Sequence, residues 1–203
     1  MERNPTEILD FWFGADRAER SGAELAARQA SLWWGKDAEA DGEIARRFTP
    51  LLDAAAQGDL ESWSTSAEGR LALIIVLDQF SRNAYRDTPD AFAQDRLALA
   101  HSLEGQSRGQ DRELRPIERV FFYMPMEHAE SLPVQDECVR RFRGLLETAN
   151  ETDRDAFAKY LDFAERHREI ILRFDRFPHR NPILGRTSTP DEEAFLREPG
   201  SGF

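Results

Sequence analysis

Only one cysteine, Cys138, occurs in 203 residues. That excludes an internal disulfide framework and any metal centre built from thiolates alone. Lysine is nearly as scarce: of 27 basic residues, all but Lys36 and Lys159 are arginine. No apolar run approaches the roughly 20 residues that a bilayer span needs, so no membrane partner is expected. Met1-Glu2-Arg3-Asn4-Pro5 has no basic stretch leading into an apolar one, and the expected location is the cytoplasm. The chain also has no glycine-rich phosphate loop, His-Glu-x-x-His pair, Gly-x-Ser-x-Gly elbow or calcium-loop pattern. No cofactor and no metal are therefore expected. Excess positive charge is missing too: the net charge is -11, which argues against nucleic acid as a partner.

What is present suits one globular unit. Apolar residues make up 40% of the chain, with 14 Phe and 4 Trp, enough for a core and too many for a disordered chain. The length fits a single domain spanning 1–203. Charge is unevenly spread. Residues 1–61 carry 13 acids and 7 bases, whereas 165–186 carry six arginines against Glu165, Glu169 and Asp175. Arginine presents a planar fork of donors that matches carboxylates and phosphates, the protein's own acids included.

The periodicity is helical throughout. Asn4 as N-cap, Pro5 at the first position and Glu7 as a capping-box partner announce a helix carrying Ile8, Leu9, Phe11, Trp12 and Phe13. Helices are expected over about 23–34 and 38–57, the latter with a turn or kink at Pro50. Residues 66–80 form the most apolar helix, and Thr88-Pro89 opens another. The polar segment 105–114 reads as a loop, and 116–123 as a short helix closed by Pro125. Helices over 133–149 and 155–176 follow, and Thr189-Pro190-Asp191-Glu192 starts a short terminal one. Cys138 lies on the stripe Val134, Cys138, Phe142 and Leu145, the pattern of a buried small hydrophobe. No alternating strands joined by a turn occur. The fold expected is all-α, an irregular array of antiparallel helix pairs with about eight or nine helices.

Three polar blocks are not explained by core formation. Asp78, Arg82 and Asn83 follow the most apolar helix; Asp78 and Arg82, four apart, share a face. They read either as an internal clamp or as the mouth of a pocket in which Asp78 orients the arginine. Glu127, His128 and Glu130 join two helices. His128 reads as a junction residue, as a ligand contact or general base, or as a metal ligand with Glu130. The third block carries His167, His179, Arg180, Asn181 and Arg186, with His179 to Asn181 held between Pro178 and Pro182. A rigid loop rich in donors suits an anion; equally, its arginines suit pairing with Glu127, Glu130 and Asp78.

These blocks, with Ile8 through Gly14, resemble the DUF924 family, a widespread and mostly bacterial family of unknown function. The resemblance covers essentially the whole chain. It is carried by Leu77 through Asn83, Tyr123 through Glu130 and His167 through Arg186, followed by Ser188-Thr189, Glu192 and Phe195-Leu196. It implies a helical array similar to tetratricopeptide folds, and no substrate. The family pattern has proline where Ser81 stands, serine where Ala129 stands and glycine where Asp175 stands. Ala129 removes a hydroxyl that a nucleophile would need, and Asp175 lowers the positive charge of the third block.

The leading functional expectation is a pocket for a small anionic molecule or peptide terminus. Asp78, Arg82, Asn83, His128, His167, His179, Arg180, Asn181 and Arg186 would line it, with Trp12 and Phe80 as walls. One alternative is a protein-interaction scaffold whose polar clusters are purely structural. Another is a hydrolase or isomerase of a small anionic substrate, with His128 as base, Glu127 or Glu130 as its partner and Arg180 stabilising charge.

Overall fold

The structure is a computed structural model and describes residues 4–202. It is all-α, with eleven α-helical segments and no strand among the described residues. They are α1 (Pro5–Phe13), α2 (Gly22–Arg28), α3 (Ala30–Trp34), α4 (Ala38–Ala56), α5 (Ala67–Ile74), α6 (Ser81–Ala84), α7 (Asp95–Ser107), α8 (Pro116–Glu127), α9 (Leu132–Glu147), α10 (Arg154–Phe174) and α11 (Pro190–Phe195). A π-helical turn, Ile75–Phe80, joins α5 and α6 into one rod. Short links leave α8, α9 and α10 as successive antiparallel neighbours, while α4 packs along the rod's second half and α1 and α7 along its first.

The rod is central because its middle, Leu71 to Leu77, is apolar on every side. Leu71 through Leu77 and Phe80 are all buried, so no face is left for water. Around it Trp12, Phe13, Trp33 and Phe121 form a largely edge-to-face aromatic cluster, and Phe48 stacks on Phe80. Trp12 and Phe80 belong wholly to this core, at 0% exposure, and are not pocket walls. Cys138 is buried and free, as its stripe predicts. No helix of the described residues is long and apolar enough to cross a membrane.

Local signals decided the helix starts. Asn4 Oδ1 accepts from the Thr6 N–H at 2.9 Å, but Glu7 turns to Arg47 at 3.3 Å instead of closing a capping box. At the other end the box does form: Glu192 N–H reaches Thr189 Oγ1 at 3.3 Å, and Thr189 N–H reaches Glu192 Oε2 at 2.7 Å.

Of the two prolines inside helices, only Pro125 departs from expectation. Pro50 lies inside α4, and α8 runs through Pro125 to Glu127. A proline inside a helix removes one hydrogen bond, and burial of nearly the whole of α8 offsets that loss. As a result Glu127 and His128 stand on the last turn and C-cap of a helix rather than in a loop; the His128 N–H donates to Met124 O at 3.1 Å. Part of 105–114 is also helical, α7 reaching Ser107 and a 3-10 turn covering Gln110–Glu113. Gly105 marks a close approach there: a Cβ would stand 2.4 Å from Phe122 Cζ.

Candidate functional site

Asp78 sits in the π turn with its carboxylate in the protein interior. A π turn inserts an extra residue into the helical phase, and such turns recur at functional sites. Oδ1 lies 2.8 Å from His128 Nδ1 and 2.9 Å from Arg82 Nη1. Oδ2 accepts from Gln79 Nε2 at 2.6 Å. Burial by itself would raise the pKa of this acid. The charge of Arg82 and the hydrogen bonds from His128 and Gln79 outweigh it, and hold the carboxyl well below the usual range.

Because Asp78 is ionised, His128 keeps its proton on Nδ1 and its lone pair on Nε2. Burial, and then the Arg82 charge, push the His128 pKa down against the pull of Asp78. The ring is neutral at neutral pH and 14% exposed. Asp78, not Glu127 or Glu130, is therefore its acidic partner.

Arg180 arrives from the turn after α10. Its guanidinium lies between the Phe92 and Phe177 rings, 4.7 and 4.6 Å from their centroids. Nη2 donates to the His128 carbonyl at 3.2 Å and Nη1 to Asp95 Oδ2 at 3.1 Å. Burial, and next the neighbouring Arg82 charge, lower its pKa to about 10, which leaves it charged at neutral pH. Asp95 Oδ1 lies 3.0 Å from Arg82 Nη2, so one carboxylate bridges two guanidinium groups.

Behind His128, the buried Glu127 has its Oε1 3.2 Å from His167 Nδ1. The His167 Nδ1–H is directed at the Phe163 carbonyl, 2.8 Å away. Burial, then the Asp78 charge, pushes the Glu127 pKa up to about 8, and burial takes His167 well below its ordinary value. The contact is thus an uncharged acid beside an uncharged imidazole. The two histidine rings, 128 and 167, lie 6.3 Å apart.

Asp78, Arg82, His128, His167 and Arg180 therefore come together from segments up to about a hundred residues apart. The other predicted residues serve joints. Asn83 Nδ2 donates to Asp41 Oδ1 at 2.7 Å, and Arg86 grips the same carboxylate at 2.6 and 2.8 Å, tying α6 to α4. Arg186 grips Glu130 at 2.8 and 2.9 Å and donates to Phe177 O at 3.1 Å. Glu130 also accepts from the Phe177 N–H at 2.8 Å. Asn181 Nδ2 donates to Ser188 Oγ at 3.0 Å. His179 packs against Phe177, and burial followed by the Arg180 charge lowers its pKa to about 4. Together these hold the segment after α10 against the rest of the fold.

Sequence reasoning missed Asp95, Phe92 and the part played by Gln79. Asp95 opens α7, where an acid is already explained by the helix N-terminus, so nothing local marks it. Open hollows lie elsewhere: one of about 470 Å³ beside Asp10, Phe11 and Arg47, another of about 420 Å³ beside Phe174, Arg176 and Glu192. Neither is lined by any of the predicted ligand residues.

A second internal polar group surrounds Arg70. This fully buried arginine donates to Gln110 at 2.6 Å, Ser64 O at 3.0 Å and Glu104 at 3.1 Å. Ligand atoms of Glu61, His101 and Glu104 lie within 4.8 Å of one another, close enough for a metal by distance. The donor chemistry opposes it. A metal-binding histidine turns its second N–H toward an acceptor, whereas His101 Nδ1 faces the Arg70 guanidinium at 3.4 Å. That fixed positive charge also repels a cation.

The family described as bacterial protein of unknown function (DUF924) matches residues 8–200. A solved structure of a protein of unknown function from Agrobacterium tumefaciens is 36% identical, with a TM-score of 0.79 over 95% of this chain and 96% of that one. No curated protein matches.

Proposed function

The chain belongs to the DUF924 family, and on that footing we propose that it binds a small anionic molecule, or the terminus of a peptide, at the cluster around His128 and Arg180. The observation that carries this reading is the meeting of Arg82, Arg180 and the Asp78-tethered His128 in one cluster. Asp78, Glu127, His128, His167 and Arg180 all depart from their ordinary pKa values. Groups shifted by burial and by one another are characteristic of sites where ligands bind or react. His128 and Arg82, at 14% and 20% exposure, give the cluster an edge on solvent.

The test is a thermal-unfolding screen of the wild type and Arg180→Ala with acetate, succinate, phosphate, sulfate and nucleotides. A ligand at a hundred times its Kd adds about 2.7 kcal/mol to stability. A rise in Tm in the wild type that Arg180→Ala loses is the expected result. A flat response to every anion would reject the reading. It would favour an interaction scaffold, an account supported by the carboxylate partners that Arg82, Arg180 and Arg186 already have.

The His128–Asp78 pair supports a second reading, acid–base chemistry on the bound anion. With Nδ1 committed to Asp78, Nε2 is the basic nitrogen of a neutral imidazole. Hydrolysis of acyl or phosphate esters that survives His128→Ala unchanged would reject it.

A further inference from the structure

Asp95 fits its partners poorly. Its Oδ1 is 3.0 Å from Arg82 Nη2, yet both atoms are shielded from solvent and neither has an aligned hydrogen-bond partner among the described residues. Arg180 Nη1 reaches Oδ2, but the Arg180 Nε–H, on a side chain only 7% exposed, has no acceptor among the described residues. A carboxylate free to choose its position forms two parallel N–H···O bonds with one guanidinium. Asp95 instead divides its oxygens between two. Its reach is set by the backbone, because it is the first residue of α7 and follows the short turn Pro89–Phe92.

We propose that the space between the Arg82 and Arg180 guanidinium groups is a seat for a guest carboxylate, and that Asp95 is the internal stand-in which the guest displaces. The inference rests on the anion reading above and names its ligand class. Two features argue for a carboxylate. With Asp95 turned away, Arg82, Arg180 and Asp78 sum to a single positive charge, since the surrounding imidazoles are neutral. A monoanion balances that charge, whereas a dianion such as phosphate leaves an excess negative charge beside the buried Asp78, which is costly. In addition, two buried donors are left over, Arg82 Nη2 and Arg180 Nε, one for each oxygen of a carboxylate.

Displacement is feasible because the Asp95 side chain stands at the edge, 19% exposed. Rotated outward, its charge remains at the N-terminus of the 13-residue α7, where an anion is stabilised.

The experiment is isothermal titration calorimetry of the wild type, Asp95→Ala and the near-isosteric Asp95→Asn. The probes are acetate, inorganic phosphate, and a short peptide with either a free or an amidated C-terminus. Acetate binding at least tenfold tighter to the Asp95 variants than to the wild type, with phosphate weaker than acetate throughout, is the expected pattern. If the free peptide binds more tightly than acetate and the amide does not bind, the carboxylate belongs to a chain terminus; if both peptides fail, it belongs to a free acid. Acetate affinity that is the same with and without the Asp95 carboxylate overturns the stand-in role while leaving the anion site intact. Phosphate binding more tightly than acetate overturns the ligand class. Binding of no anion by any of the three proteins sinks the anion site itself, and this inference with it. Asp95→Asn covers the case in which the alanine variant fails to fold.

Discussion

The ring of His128 is tethered at Nδ1, 2.8 Å away, to Asp78, a carboxylate with no exposed surface. The same carboxylate accepts from Gln79 and pairs with Arg82, whose Nη1 donates to the Asp78 backbone carbonyl at 2.8 Å, so one residue joins the π turn, α6 and the end of α8. Removing one member of such a buried set leaves the others desolvated and unmatched. Asp78→Ala is expected to lower stability by about 3–5 kcal/mol in urea unfolding. A loss under about 1 kcal/mol would mean that water replaces the carboxylate without difficulty.

Glu127 gives stability an unusual pH dependence. Its pKa is about 8 in the fold and about 4.3 in an unfolded chain. Between these values the folded protein holds a proton that the unfolded chain has released. The contribution of this acid is therefore complete below about pH 4 and is lost as pH rises through 8. His128, His167 and His179 act the other way: their lowered values make the unfolded chain the better proton acceptor below about pH 6.5, so acid removes their contribution. Comparing the wild type with Glu127→Gln isolates the acid. The variant should gain on the wild type steadily from pH 5 to 8, and a constant difference across that range would reject an uncharged Glu127.

Gly105 tests how tightly α7 meets α8. A methyl group there would lie 2.4 Å from Phe122 Cζ and 2.5 Å from Arg70 Cδ. Gly105→Ala should destabilise by about 1–3 kcal/mol through overpacking, although alanine is the better helix former by about 1 kcal/mol. A stabilised variant, read from the unfolding midpoint, would show that Arg70 and Phe122 yield freely.

Asp175 ends α10 with φ at 56°, in the left-handed region that glycine enters without steric cost. It also places a negative charge at a helix C-terminus, the unfavourable end. Asp175→Gly should raise stability by about 0.5–1 kcal/mol, and Asp175→Val should lower it. Equal midpoints for the glycine and valine variants would contradict this account.

Asp175 also shows what a sequence conveys without coordinates. Read in the sequence it is only a negative charge; the structure turns it into a question of backbone conformation. Pro125 misleads in the opposite direction. Proline is a valid stop signal, and it was overridden because nearly every residue of α8 is buried. The π turn leaves no trace in the apolar run around it, since the same side chains would fill an α-helix.

The chain by itself determined that the fold is all-helical, where most helices start, and that three polar blocks exceed what a core requires. Those properties are local: spacing, capping and hydrophobic periodicity act within a few residues. Partnership was decided only by tertiary structure. Asp78 took His128, Glu127 took His167, and Asp95 entered between Arg82 and Arg180 from a helix start that looked ordinary. Which acid meets which base depends on how rods from distant parts of the chain cross, and charge at short range has no sequence period to betray it.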